Sequence, residues 1–323
     1  MSDKKRLNAR LEAAAELRQS GQFNDARDIL VALKNDPDAD LLGHRTSLGL
    51  PRRLQSALLK LAKAEKNAVS SIGYQFHLVP PPELMNALTS FTSAERRAMT
   101  KVNQQAIPRT IHQIWIGENT PPVGTKAWEV HARERGYDYQ LWNEQNLHEL
   151  GLNENPVYKD MLSKGDFPGA VDVARYVILE KLGGIYLDSD WYPTRNDLSF
   201  HDFLPMVGLT TMAEDTPRNT GKGGLLLANS LIATPPEHPV FSRLLKVLGD
   251  VMKVLPDAPA WWATGPLIFT LVSRGSSVTL ADADIVAGSL AQATSLPDVE
   301  RWCKQAQIED KGLLLAWKSW IWQ

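Results

Sequence analysis

The run AVDVARYVILEKLGGIYLDSDWYP, Ala170 to Pro193, narrows the possible folds of this chain more than any other segment. Val171, Ala174, Ile178 and Leu182 recur at helical spacing and predict a buried stripe. Gly183 and Gly184 then break the helix, the first as a left-handed cap, the second permitting a tight start to a strand. The apolar run that follows is short and extended. Similar alternation surrounds it: IHQIWI, YDYQLW, PMVGLTT and GLLLANSLIA are strand candidates, and Trp128–Arg135 and HPVFSRLLKVLGDVMKVL are helical. Helices interleaved with short apolar strands predict an α/β domain with a mainly parallel sheet.

The strand that follows Gly184 ends in chemistry. On an extended segment, side chains at i and i+2 point the same way, so Asp188 and Asp190 are expected to converge with Tyr186 below them. Two adjacent carboxylates repel, and a divalent cation stabilises both in ionised form. Oxygen ligands suit Mg²⁺ or Mn²⁺; the bland alternative is an Asp-rich turn. A calcium loop fails, because its sixth position is Pro193 rather than glycine and its twelfth is Ser199 rather than glutamate. On the preceding helix, Asp172 and Arg175 lie three residues apart and share a face. Read alone they form a surface pair worth ~0–1 kcal/mol. The Gly-Gly connection instead carries that face close to the two aspartates.

Composition removes other functions. The formal net charge of −2 gives no general reason to expect nucleic acid as a partner. Cys303 is the single cysteine, which excludes an intrachain disulfide and a thiolate-cluster metal site. The histidines, among them His112, His131 and His238, show no paired helical spacing for zinc. No run of 18 apolar residues offers an integral membrane segment. The opening MSDKKRLNARLEAAAEL lacks the apolar core of a secretory signal, so a bacterial cytoplasmic protein is expected, with a secreted effector also compatible. Residues 7–33 read as helical around Gly21, a hairpin used for packing. Pro51 opens a helix with a basic face. Residues 1–100 are therefore assigned as a helical accessory region and 101–323 as the catalytic domain, beginning near IPRTIHQIWIG.

The segment DVARYVILEKLGGIYLDSDWYP resembles the core of glycosyltransferases with a DXD motif, the group of yeast-type initiating mannosyltransferases and bacterial polysaccharide transferases, distantly related to clostridial glucosylating toxins. The matching residues are Asp172, Arg175, Gly183, Gly184, Ile185, Tyr186, Asp188 and Asp190. IPRTIHQIWIG resembles the family's first strand, and NSLIATPPEHPVF and Thr264–Pro266 resemble later blocks. The resemblance implies a GT-A fold and retaining transfer of a sugar from a UDP- or GDP-sugar to a hydroxyl, amine or amide acceptor, with Mn²⁺ or Mg²⁺ as cofactor. It implies that Trp115 lines or stacks on the base, that Asp172 and Arg175 grip sugar hydroxyls, and that Asp190 binds the metal directly. Asp188 is implied to contact ribose or sugar, and the metal through water. Ser319 and Trp320 match a terminal Ser-Trp segment that closes over the diphosphate. Many relatives carry a histidine just upstream; here Leu315, Ala316 and Trp317 stand there, so the third metal ligand falls to Ser319, to Glu309 or Asp310, or to water. Two other readings fit parts of the pattern: a haloacid-dehalogenase-like phosphatase with Asp188 as nucleophile, although Tyr192 stands where that pattern wants Thr or Val, and a non-catalytic helical adaptor.

Overall fold

The computed structural model describes residues 3–46, 48–76, 78, 82–214, 226–255 and 258–319. By contact the chain separates into two compact units, residues 1–81 with 217–224 and residues 82–216 with 225–323.

The described part of the first unit is helical. Helices Asp3–Gln19 and Phe23–Lys34 form the expected hairpin around Gly21, which has a φ of +78°. A second pair, Arg52–Ala64 and Ala68–Phe76, follows. Leu7, Leu30, Leu33, Leu54 and Leu61 are buried together, so the first helix of the second pair closes the core of the first.

Strands β1 (Thr110–Ile114), β2 (Asp138–Trp142), β3 (Gly184–Leu187), β4 (Trp191–Pro193) and β5 (Thr210–Ala213) belong to the second unit. So do β6 (Leu227–Thr234), β7 (Thr279–Leu280), β8 (Val286–Ser289) and β9 (Leu314–Ala316). Six of them form one sheet in the order β2-β1-β3-β6-β5-β7, and β4-β9-β8 form a smaller one. The large sheet is mixed rather than mainly parallel. β1 runs parallel to β2 and β3, and β5 to β7, while β6 is antiparallel to both β3 and β5. An apolar run such as LLLANSLIA reports burial on both faces, which a central strand of either direction satisfies.

The order of the first three strands positions the site. The chain passes from β1 to β2 through helix Val123–Arg135, then returns through helix Phe167–Leu182 to β3 on the other side of β1. The strand order thus reverses between β1 and β3, and a crevice opens beyond the carboxyl ends of strands at such a point. Trp115 follows β1 directly, and Asp188 follows β3.

Helix Phe167–Leu182 begins earlier than its apolar pattern. The Asp166 carboxylate accepts the Gly169 N–H at 3.0 Å, and Pro168 occupies the first turn. From Gly169 to Leu179 almost the whole circumference is buried, whereas Leu182 is exposed and Val171 half-buried. Asp172 and Arg175 therefore lie in the interior, and the reading of a surface ion pair fails. At the helix end Gly183 adopts φ +62°, ψ −154°, a region essentially confined to glycine, rather than the left-handed helical cap. A Cβ there would sit 2.5 Å from the Pro236 nitrogen, and one on Gly184 2.8 Å from the Thr110 carbonyl. The pair lets β3 pass between its neighbours where any side chain would collide.

Candidate active site

The interior half of the site is a closed polar network. Asp172 is 6% exposed. One of its oxygens accepts the Asn229 amide N–H at 2.8 Å and pairs with Arg175 at 3.0 Å; the other accepts the Thr264 hydroxyl at 2.8 Å. Burial pushes its carboxyl up to about 6, against the pull of Arg175, Thr264 and Asn229. Tyr176 and Asn229 complete the cluster, the Tyr176 hydroxyl donating to the Thr264 carbonyl at 2.7 Å.

Arg175 joins this network to the aspartate pair. Its guanidinium donates to the Asn229 carbonyl at 2.5 Å and pairs with Asp188 at 3.2 Å. It lies over the Tyr186 ring, 4.5 Å from the centroid, and the Tyr186 hydroxyl donates to Asp188 Oδ1 at 2.8 Å. The neighbouring carboxylates raise the guanidinium pKa further, so the charge is permanent. One Asp188 oxygen is therefore held from two sides, and the other has no partner among the described residues.

The two aspartates meet by a different geometry from the one expected. Strand β3 ends at Leu187, and Asp188–Asp190 form a turn leading into β4. A turn, rather than two-residue strand periodicity, brings the carboxylates within electrostatic reach. Burial and the charge of Asp188 push Asp190 up to about 6, with Lys318 opposing. Lys318 arrives through β9, which pairs antiparallel with β4, Trp191 opposite Ala316; the Trp317 N–H then donates to the Asp190 carbonyl at 2.8 Å. Ser319 is half-buried next to it, its N–H donating to the Trp317 carbonyl. Trp320 lies outside the described residues. Trp115 is 5% exposed, and its indole N–H donates to the Asn119 carbonyl at 2.6 Å.

Gln113 was not among the residues singled out from sequence. It is fully buried on β1, its carbonyl accepting the Tyr139 hydroxyl at 2.8 Å and its amide donating to the Asp188 carbonyl at 3.1 Å. It fixes the backbone of the aspartate turn from below. Asn229 and Thr264 were likewise given no role, although each sits in a block that the family resemblance had marked. His112 stays neutral, with burial holding it down to about 4; it bridges Trp142, whose indole donates to Nδ1 at 3.2 Å, and the Gly183 carbonyl at 3.0 Å from Nε2.

Residues 124–204, which span Asp172, Arg175, Asp188 and Asp190, match the family model of the glycosyltransferase sugar-binding region containing a DXD motif. The chain carries a DXD-motif glycosyltransferase domain. It is related to fungal and viral proteins. A mannosyl phosphorylinositol ceramide synthase of Saccharomyces cerevisiae is 27% identical over 175 residues, 52% of this chain and 42% of that one. An uncharacterized glycosyltransferase of Acanthamoeba polyphaga mimivirus is 31% identical over 145 residues, 43% of this chain and 55% of that one. The chain thus spans about two fifths to just over half the length of these relatives. Among solved structures, the PaToxG glycosyltransferase is 15% identical with a TM-score of 0.42, covering 71% of this chain and 83% of that one. A score at that level does not by itself establish a shared fold. The mixed α/β arrangement is consistent with a GT-A-like fold on its own strand order.

Asp188 and Asp190 present only oxygen donors to a cation. Among the described residues no group of three or more His, Cys, Asp or Glu is gathered for a metal. Asp310 pairs with Arg195 and Glu309 with Lys311, so neither carboxylate is directed to the aspartate pair. Two carboxylates nonetheless fit Mg²⁺ or Mn²⁺ that keeps waters and shares its remaining positions with substrate phosphates. Burial first, and then the charge of Asp188, raises Asp190, so a cation shared by the two carboxylates would relieve their repulsion. No helix among the described residues is long and apolar enough to cross a membrane.

Proposed function

We propose that this chain transfers a glycosyl unit from a nucleoside-diphosphate sugar, carried on uridine or guanosine, to a hydroxyl, amine or amide acceptor, with Mn²⁺ or Mg²⁺ as cofactor. The observation that carries the reading is the under-compensated Asp190 beside Asp188, at the carboxyl ends of β1 and β3 where the strand order reverses. The donor's nucleotide portion is assigned to the crevice near Trp115, and its diphosphate to the turn. Retention at the anomeric carbon, the GT-A assignment and a role for residues 1–100 in acceptor choice rest on the family resemblance.

When bound, the divalent cation supplies positive charge to the leaving diphosphate. Asp188 and Asp190 hold it, with the Ser319 hydroxyl as the protein's further oxygen. Arg175 orients Asp188 and adds a fixed positive potential behind it. Lys318 offsets only part of the charge at Asp190 and would face the diphosphate. Asp172, with three of roughly four acceptor positions filled, can take one sugar hydroxyl. Closure of Ser319 and Trp320 over the donor excludes water and limits hydrolysis. A phosphatase role for Asp188 is disfavoured, because Tyr192 stands where that pattern wants Thr or Val.

A thermal-shift and hydrolysis screen of GDP-mannose, UDP-glucose and UDP-N-acetylglucosamine, with and without Mn²⁺, tests this. The mannosyl names of the yeast relatives put GDP-mannose first. A metal-dependent response to one donor, absent in Asp188→Ala and Asp190→Ala, is expected. Metal-independent phosphate release from a simple phosphoester, with none from any nucleotide sugar, would overturn it.

A further inference from the structure

Helices Asp3–Gln19 and Arg52–Ala64 leave a cavity of about 300 Å³ between them, to which Leu30 of the intervening helix also contributes. Ala14, Ala15 and Ala57 line it, and their short side chains leave open a gap that larger apolar residues would close. With Leu11 and Leu61 they make an apolar lining of a size near the lower end of ligand clefts, ~300–1,000 Å³. That is room for one or two aliphatic side chains, not for a cofactor.

The same cavity carries Arg18, Arg53 and Lys60 against a single carboxylate, Glu12. The surrounding arginines are neutralised: Arg6 and Arg10 pair with Asp36, Arg27 with Glu65 and Arg45 with Asp40. Arg18 and Lys60 have no ion pair among the described residues, and Arg53 reaches only the amide oxygen of Asn8, at 2.6 Å. Three cations without an ion pair among the described residues thus line this concave apolar place. The whole of residues 1–81 shares the bias, with 13 Lys or Arg against nine Asp or Glu, while residues 82–323 hold 22 against 28.

We infer that this groove receives an acidic segment of a partner protein, anchored by one or two aliphatic side chains between Ala15 and Ala57 while its carboxylates meet Arg18, Arg53 and Lys60. Charge complementarity selects the partner, and the concavity favours a chain laid into the groove over a flat anionic bilayer. The assignment is independent of the donor chemistry, because every residue it uses lies outside the glycosyltransferase domain.

The test selects a displayed library of random peptides on the immobilised full chain. Affinity for the enriched peptides is then measured on wild type and on the double variant Arg18→Glu, Lys60→Glu. Lys60 is exposed and Arg18 is half-buried in the last turn of its helix, so the variant should keep its helicity and its donor hydrolysis. Enriched peptides should be rich in Asp or Glu with a Leu, Ile or Val, and the double variant should weaken them at least about tenfold, the sum of two reversed ion pairs. On the unaltered chain, photo-leucine at the aliphatic position should cross-link to residues 3–19 or 52–64. No enrichment, enrichment of basic or purely polar peptides, equal binding by the double variant, or cross-linking within residues 82–323 would each overturn the inference. So would binding to phosphatidylcholine–phosphatidylserine vesicles with no peptide selected.

Discussion

Asp172 and Asp190 belong to one site and are both pushed up to about 6 by burial, yet their surroundings are opposite. Asp172 sits in a network that answers it with Arg175, Asn229 and Thr264. Asp190 sits in a turn beside another carboxylate, with Lys318 as the nearest answer. The first arrangement holds together without a ligand and acts as scaffold, with one acceptor position of Asp172 left for a sugar hydroxyl. The second is complete only when more positive charge arrives, which locates the place where a cation and a diphosphate enter. The difference lies in partners more than in burial, although Asp172 is buried and Asp190 half-buried.

Removing the shared cation breaks the scaffold side most severely. Arg175→Met should cost ~3–5 kcal/mol in urea unfolding, because Asp172 is left as an uncompensated buried charge and half-buried Asp188 loses its partner. A loss below 1 kcal/mol would mean that the network is not carrying the buried carboxylates. Gln113→Leu comes next. It strands the Tyr139 hydroxyl and the Asp188 carbonyl, at ~1–3 kcal/mol, and loosens the aspartate turn, so donor affinity should fall with stability. Tyr139→Phe separates the two effects: it leaves the amide of Gln113 on Asp188 in place, so donor affinity measured by calorimetry should stay near wild type.

The turn side predicts the reverse sign. Asp190→Asn should raise stability of the metal-free chain by ~1–2 kcal/mol at pH 7, while abolishing the Mn²⁺ response. The pH dependence follows from the raised pKa. Below about pH 3 the carboxyl is protonated in both folded and unfolded chains, and the variant gains nothing. As pH rises to about 6 the unfolded chain releases its proton first, so the wild type loses stability, and the variant's advantage grows to its full size by pH 7. Thermal midpoints of the two proteins across that range check the crossing. Smallest is Thr264→Val, which removes one hydrogen bond to Asp172 while keeping shape, at ~1 kcal/mol. It should raise the Asp172 pKa further, seen as a shifted acid limb in donor turnover.

Sequence exposed the local half of this site and hid the tertiary half. Asp172, Arg175, Asp188 and Asp190 lie within one helix–glycine–strand unit, so helical spacing and a two-residue connection suffice to bring them together. Gln113, Asn229 and Thr264 come from β1, β6 and the segment before helix Pro266–Ser273. Single Gln, Asn and Thr residues are too common to announce a buried role; only tertiary packing does so. Strand direction was also hidden, because β6 reads the same whichever way it runs. The turn at Asp188–Asp190 reads as extended chain in the sequence, since no glycine or proline marks it. The tryptophan-rich C-terminus divides as well. Leu313–Leu315 and Trp317 are buried, whereas the expected closing residue, Trp320, lies beyond the described chain.

The most direct test is anomalous diffraction from crystals grown with Mn²⁺ and the donor that the thermal-shift screen selects. A manganese peak within ligand distance of Asp190, bridging to the donor's pyrophosphate beyond β3, is the predicted result. A pyrophosphate bound elsewhere, or bound at this turn with no manganese beside it, would contradict the account.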